Sequence, residues 1–520
     1  MIYRLGVDVG GTNTDAVIID ENLKLICSVK MPTTEDVSTG IFEAIHGVLE
    51  KSRIEKDKIK YAMLGTTQCT NAIVERKKLS KVGIIRLGSP ATCSIEPMAD
   101  WPEDLRKAVS ENFNIVKGGY EFDGRELTSL DENEIRDIAR KMKGKVEAIA
   151  ISCVFSPIKA DHEIMTAKII REELGDISIS MSHEVASMGL LERENATILN
   201  SALMSVAEIV TEGFREGLKK EGINDAKIFL CQNDGTLMSA EYTKRFPILT
   251  VACGPTNSIR GASFLSKMKN AIVLDVGGTT SDIGVIVNSF PRESSLATDV
   301  GGARTNFRMP DIIAIGLGGG TIIRKKDGTI KVGPDSVGYK LTEKALVFGG
   351  DTLTATDIAV KLGMADIGDA SKLEHIDKEF AEETMDIMMG MIEAGIDKMK
   401  LSSEPVPVVL VGGGGIIVKD TLKGVSELIR PESFPVANAI GSAIAQVSGT
   451  FEKLFTLDTI TRDEALQKAK DEAISIAIKA GADADTIEIV EVEDVPLAYH
   501  PGNAARMKVK AAGNLDINAG

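Results

Sequence analysis

The sequence predicts an α/β protein of two or three domains in which one phosphate-binding hairpin occurs twice. Three observations carry this. Residues Asp8 to Asp15 read D-V-G-G-T-N-T-D and residues Asp275 to Asp282 read D-V-G-G-T-T-S-D, identical at six of eight positions. The chain has 520 residues, more than one hydrophobic core usually organises. With 43% hydrophobic but only 4% aromatic residues, the interior must be built from Ala, Val, Ile, Leu and Met, and 49 glycines suit many tight connections.

Each copy follows an apolar run, Tyr3 to Val7 or Ala271 to Leu274, and precedes another, Ala16 to Ile19 or Ile283 to Val287. That is the pattern of a β-hairpin turning at Gly-Gly-Thr. A lone copy would read equally well as an ordinary turn. Turn chemistry alone does not produce the same segment twice between strand-like runs.

The paired glycines are expected to reach φ > 0 and expose successive N–H groups as a phosphate nest, with threonine hydroxyls as added donors. This assigns Gly10, Gly11, Thr12 and Asn13, and Gly277, Gly278, Thr279 and Thr280, to phosphate binding. A carboxylate beside a phosphate is repulsive unless a divalent cation lies between them, so Asp8 and Asp275 are candidate Mg²⁺ partners. Asp15 and Asp282 are candidates to orient a water or substrate, with capping of their own hairpins as the alternative. Two such hairpins face to face would clamp the phosphates of a nucleotide.

A formal charge of −16 argues against nucleic acid or an anionic membrane as the main partner, since both reward clustered Lys and Arg. The cysteines, Cys27, Cys69, Cys93, Cys153, Cys231 and Cys253, show no C-x-x-C or Cys/His spacing, which favours reduced thiols over disulfides or zinc. Strand-like residues begin directly after Met1, and no apolar run is long enough to span a bilayer, so a cytoplasmic protein is expected.

Along the chain the pattern predicts helices over 40–51, 71–78, 131–141, 160–174, 192–220, 256–266, 437–447 and 461–479. Strands are predicted over 61–64, 81–86, 148–154, 227–231, 408–411 and 486–495. Val408 to Val411 feeds four consecutive glycines, Gly412 to Gly415, and Ala437 to Val447 is made of small residues that permit close backbone approach.

Five elements in this order, the first hairpin, a small-residue helix (Thr256 to Ser266), the second hairpin, a Gly-rich turn (Val411 to Gly415) and a second small-residue helix, resemble the sugar kinase, heat-shock chaperone and actin superfamily. The resemblance implies two lobes of mixed sheet around a nucleotide cleft. ATP would lie in the cleft, Gly412, Gly413, Gly414 and Gly415 would hold the adenosine, and a hinge would run through the connecting helices. Residues 1–195 would form a lobe with the first hairpin, 196–455 a catalytic lobe, and 456–520 a small helix–strand region.

Within that superfamily, G-T-T-Q-C-T-N-A-I-V-E-R-K at Gly65 to Lys77 resembles a signature of hydantoinase A and 5-oxoprolinase proteins. So do Ser182-His-Glu-Val, the stretch Glu192-Arg-Glu-Asn-Ala-Thr, Gln232-Asn-Asp-Gly-Thr and Cys253-Gly-Pro. The resemblance implies ATP-dependent opening of a cyclic amide such as a hydantoin, 5-oxoproline or lactam, or carboxylation of a ketone, beside a B-type hydantoinase subunit and within an oligomer. A small-molecule kinase and a non-enzymatic ATP-driven switch are the alternatives. Thr66, Thr67, Asn71 and Arg193 are candidate substrate or interlobe contacts, with capping and salt bridging as the plain alternative. His183 reads as a hydrogen-bonded structural residue. After Val332-Gly-Pro-Asp-Ser the segment Val337 to Gly350 departs from the family pattern and lacks its cysteine.

Overall fold

Strand Tyr3–Val9 pairs antiparallel with Asn13–Asp20 so that Asp8 stands opposite Asp15. Strand Ala271–Val276 pairs with Ser281–Val287 in the same register, Asp275 opposite Asp282. The turns close alike: the Gly10 N–H donates to the Asn13 carbonyl at 3.0 Å, and the Gly277 N–H to the Thr280 carbonyl at 2.9 Å. The sequence repeat is therefore a repeat of geometry. This is a computed structural model, and it describes all residues except 35, 111, 295–297, 308, 327, 459, 498–503 and 517–520.

Each hairpin lies in a mixed sheet. Tyr3–Val9 also pairs parallel with Ile59–Thr66, and Ala271–Val276 parallel with Val406–Val411. Strands flanked on both sides bury nearly every residue, which is why these runs read as continuous apolar stretches rather than alternating ones. The first sheet has nine strands, running from Glu488–Pro496 at one edge, through Ala504–Gly513, Gln446–Thr456, Thr236–Ser239 and Lys227–Cys231, to Ile59–Thr66, the first hairpin and Leu25–Pro32. A four-stranded parallel sheet built on Val82–Ser89 and Ala148–Cys153 is inserted into the first lobe. The 31-residue helix Leu190–Lys220 packs on both this insert and helix Val37–Ser52.

Two helices, Cys253–Ser266 and Ala437–Ile444, cross between the sheets. Their backbones touch. A Cβ at Gly261 would lie 1.9 Å from the Ala437 carbonyl oxygen, and one at Gly441 would lie 1.9 Å from that of Asn257. On its other side Ala437–Ile444 rests on the first hairpin, where a Cβ at Gly6 would meet Ala443 Cβ at 2.6 Å. The architecture is thus a two-lobed α/β one, with two mixed sheets that each carry one hairpin on either side of the crossing helices.

Several elements differ from expectation. The helix expected at 71–78 runs Gln68–Glu75, because Arg76 and Lys78 take positive φ and end it. The helix expected to reach Val447 stops at Ile444, and Gln446 begins an 11-residue strand held between Thr236–Ser239 and Ala504–Gly513. The boundary expected at 195/196 falls inside helix Leu190–Lys220, while strands from 227–239 and 446–513 lie in the sheet of the first hairpin. We propose dividing the chain by sheet rather than by chain order. Among the described residues no helix is long and apolar enough to cross a membrane.

Replacing a mid-helix glycine by alanine normally stabilises by about 1 kcal/mol. At Gly441 the sign should reverse, because the new methyl would overlap a carbonyl fixed by the facing helix, and overpacking costs about 1–3 kcal/mol or more. Gly441→Ala should lower the midpoint of thermal unfolding, measured by calorimetry. A raised midpoint would refute the close crossing.

Candidate functional site

The two turns meet. A Cβ at Gly278 would lie 2.8 Å from the Thr12 side chain, while nothing lies within 4 Å of one at Gly11. Contrary to expectation, Gly10, Gly11, Gly277 and Gly278 all lie outside positive φ. What the missing side chains provide is room for the turns to approach. Behind the second turn, the Gly319 N–H donates to the Gly277 carbonyl at 3.0 Å and the Gly320 N–H to that of Gly278 at 2.6 Å. Ser336 Oγ reaches the Gly278 carbonyl at 3.4 Å, so the divergent segment that follows Ser336 begins against this turn.

The Gly412–Gly415 turn abuts the same hairpin. Here positive φ is real: Gly412 has φ of 87°, and a Cβ there would lie 2.2 Å from Asp275 Oδ1. A Cβ at Gly414 would lie 2.3 Å from the Gly277 carbonyl. Only glycine fits either position.

The aspartates form a coupled acidic cluster. Asp8, 3% exposed, accepts from Asn257 Nδ2 and Asn438 Nδ2, each at 2.9 Å. These asparagines sit on the two crossing helices, so both helices grip the first hairpin by one carboxylate. Asp15 accepts from the same Asn438 Nδ2 at 2.9 Å and from Lys30 Nζ at 2.7 Å, so it does not cap its own hairpin. Burial pushes Asp8 up to about 7, against the two asparagine bonds, with Asp15 and Asp275 adding repulsion. Burial likewise pushes Asp282 up to about 7, with Asp275 adding to it. Burial raises Asp15 and Asp275 too; Lys30 opposes this at Asp15, and the Ser258 hydroxyl opposes it at Asp275.

Burial and mutual repulsion both disfavour the charged forms of these carboxylates unless a cation is near. Lys30 is the positive group coupled to both Asp15 and Asp275, and its Cε comes within 3.7 Å of a Cβ placed on Gly413. It stands between the first hairpin and the Gly-rich turn. Two buried oxygens around Asp8, Asn257 Oδ1 and Asn438 Oδ1, accept no hydrogen bond, while Asp15 Oδ1 is held by Lys30 Nζ at 2.7 Å. Among the described residues no three His, Cys, Asp or Glu side chains come together so as to hold a metal by themselves, so an ion here would rest on one or two carboxylates. This donor set fits Mg²⁺, which takes one or two carboxylates and completes its shell with water and phosphate oxygens.

The residues expected to touch substrate divide. Thr66, Thr67 and Asn71 lie beside the first hairpin but are engaged locally. Thr66 Oγ1 accepts from the Gln68 N–H at 3.2 Å, Thr67 Oγ1 donates to the Val9 carbonyl at 3.3 Å, and Asn71 Nδ2 donates to Thr67 Oγ1 at 3.3 Å. Arg193, 2% exposed, spends its guanidinium on Ser182 Oγ and the carbonyls of Cys153, Ser187 and Gly189. It fastens helix Leu190–Lys220 to the inserted sheet.

Lys30, Asn257 and Asn438 escaped the reading of the sequence. One signal was available: Asn257 to Ala262 and Asn438 to Ala443 both read N-x-I-x-x-A. The crossing helices are thus a second internal repeat.

Comparison with known proteins follows the same lines. The profile of the hydantoinase/oxoprolinase N-terminal region matches residues 4–174, and that of hydantoinase/oxoprolinase matches residues 193–369, together about two thirds of the chain. The chain is 27% identical to the acetophenone carboxylase gamma subunit of Aromatoleum aromaticum, over 70% of this chain and 53% of that protein. It is 27% identical to caprolactamase subunit alpha of Pseudomonas jessenii, over 69% of this chain and 54% of that protein. It therefore spans about half the length of these relatives. The solved structure of the ATP-dependent caprolactamase of Pseudomonas jessenii superposes with a TM-score of 0.77 at 20% identity, over 99% of this chain and 88% of that one, which shows the shared fold. On the paired profile matches and this fold, the chain belongs to the hydantoinase/oxoprolinase family.

Proposed function

We propose that this chain binds ATP with Mg²⁺ between its two hairpins and uses it to activate the ring carbonyl of a cyclic amide, such as a hydantoin, 5-oxoproline or a lactam, for opening. The observation that carries this reading is the meeting of two hairpins of identical register, Thr12 against Gly278, beside the enclosed carboxylates of Asp8 and Asp275. The caprolactamase relative supports the substrate class.

A ring amide is a poor electrophile because its oxygen does not leave; ATP, when bound, supplies the phosphoryl group that makes it leave. The chain's own part is positioning and charge neutralisation. Gly10 and Gly277 close their turns with their own N–H groups, and Gly11, Thr12 and Asn13, facing Gly278, Thr279 and Thr280, would offer N–H and hydroxyl donors to phosphate oxygens. Asp8 and Asp275 would hold the metal. Lys30, steadied by Asp15, places its ammonium between the hairpin and the Gly412–Gly415 turn, which receives the adenosine. Asp282, with its acidity near neutral, suits transfer of a proton to or from a water or substrate. The acetophenone carboxylase relative favours a second reading, in which a ketone's enol oxygen is activated in the same cleft. Both relatives are named as subunits, which supports a B-type partner for this chain. The deciding experiment is Mg·ATP hydrolysis over hydantoins, 5-oxoproline, lactams and small ketones, with and without a candidate B-type subunit. Stimulation by a ketone alone would replace the amide reading.

Asp8→Asn and Asp275→Asn should fold with midpoints near the parent, since an amide relieves like-charge burial. Turnover of Mg·ATP should fall at least about 10²-fold, the scale of losing one preorganised charge contact. Undiminished turnover by either variant would sink the metal assignment.

Lys30→Met removes the counter-charge of Asp15, which is 1% exposed, and should destabilise by about 3–5 kcal/mol. Adding Asp15→Asn should restore most of the stability. It should not restore turnover, which should stay about 10²-fold down. Recovery of both together would show Lys30 to be only a structural partner.

A further inference from the structure

A cavity of about 760 Å³ lies outside the hairpin cleft, and none of the hairpin residues lines it. Its wall includes the segment 183–188 of the inserted domain, the Gln232–Asp234 turn, Phe307 and the strand that begins at Gln446. His183 is on this wall, held by a support the phosphate site does not use. The Glu163 carboxylate, fully buried, receives His183 Nδ1 at 2.5 Å, the His183 backbone N–H at 3.1 Å and Ser182 Oγ at 2.6 Å. Arg193 donates to Ser182 Oγ at 3.0 Å and completes the brace.

A carboxylate at Nδ1 fixes the tautomer that keeps the proton there and leaves Nε2 as an acceptor. Among the described residues no hydrogen bond engages Nε2, which lies across the ring from the Nδ1 that faces Glu163, on a side chain that lines the cavity. An unfilled acceptor on a wall that also carries Leu237 and Phe307 suits a small ring bearing an N–H donor.

We propose that this cavity binds the ring amide, with His183 Nε2 accepting a hydrogen bond from the ring N–H and Glu163 and Arg193 acting as positioning residues. The assignment of ring class rests on the ATP-dependent reading above; the donor-seeking site rests on geometry alone. The cavity and the phosphate cleft share an element. Thr256 Oγ1 donates to the Asn233 carbonyl in the cavity wall at 3.1 Å, and the next residue, Asn257, donates to Asp8.

The test is carbethoxylation of the native chain by diethyl pyrocarbonate, with modification of His183 followed by peptide mass spectrometry. The chain is incubated separately with hydantoin, 5-oxoproline, 2-pyrrolidone, caprolactam or Mg·ATP. One ring amide should slow modification of His183 at least fivefold while leaving the more exposed His46 unchanged, and Mg·ATP alone should not slow it. His183→Gln should raise the half-saturating concentration of that amide about tenfold, the scale of one lost hydrogen bond. If an amide stimulates ATP turnover yet leaves His183 modification unchanged, the cavity assignment fails and the ATP reading stands. Protection of His183 with no stimulated turnover keeps the cavity and removes the ATP reading. Unchanged modification with no turnover overturns both.

Discussion

The crossing of helices Cys253–Ser266 and Ala437–Ile444 is the contact on which the cleft depends. Their approach is set by Gly261 and Gly441, each too close to a facing carbonyl to carry a side chain. From that crossing Asn257 and Asn438 reach the same Asp8 carboxylate, one to each oxygen. The helix crossing and the setting of the Asp8 carboxylate are thus one construction. A shift of either helix by a fraction of an ångström would lengthen a hydrogen bond to a buried charge, where the loss is greatest.

The electrostatics of the aspartates would favour a cation. Four of them stand on the two hairpins, and each has its charged form disfavoured first by burial. The asparagine amides lower the cost at Asp8 but bring no charge. Lys30 brings one positive charge, placed at Asp15. A polyphosphate would make the cluster worse unless a divalent ion came with it, so nucleotide and metal are expected to bind as a unit.

How much of this was legible follows the range of each interaction. The hairpins were readable because turn, strand and carboxylate lie within eight residues and occur twice. The Gly-rich turn and the small residues of the crossing helices were readable for the same reason. Lys30 was not, because its tie to Asp15 exists only through strand register across a second turn. The nine-stranded sheet was not, because it joins strands from both ends of the chain in an order unrelated to sequence. Arg193 sits in a family-like motif, which marks it as important without saying for what. Its hydrogen bonds to Cys153 and Ser182 make it a brace for packing. The glycine pairs meet for a reason other than the expected one: the turns need clearance, not left-handed backbone.

The inserted sheet gains a role from the same brace. Its strands end at Cys153 and Met181, and just beyond them Arg193, Ser182 and Glu163 meet in a network with no exposed member. Burying two charges and a hydroxyl together is costly unless each is hydrogen-bonded, and such networks stabilise little compared with apolar packing. What this one does supply is orientation, since every bond in it constrains the ring of His183. The first residues of helix Cys253–Ser266 then connect the cavity wall to Asp8 through Thr256 and Asn257. One helix therefore holds a face of the cavity and a face of the hairpin cleft in fixed relation, the positioning that the proposed phosphoryl transfer between two bound molecules would require.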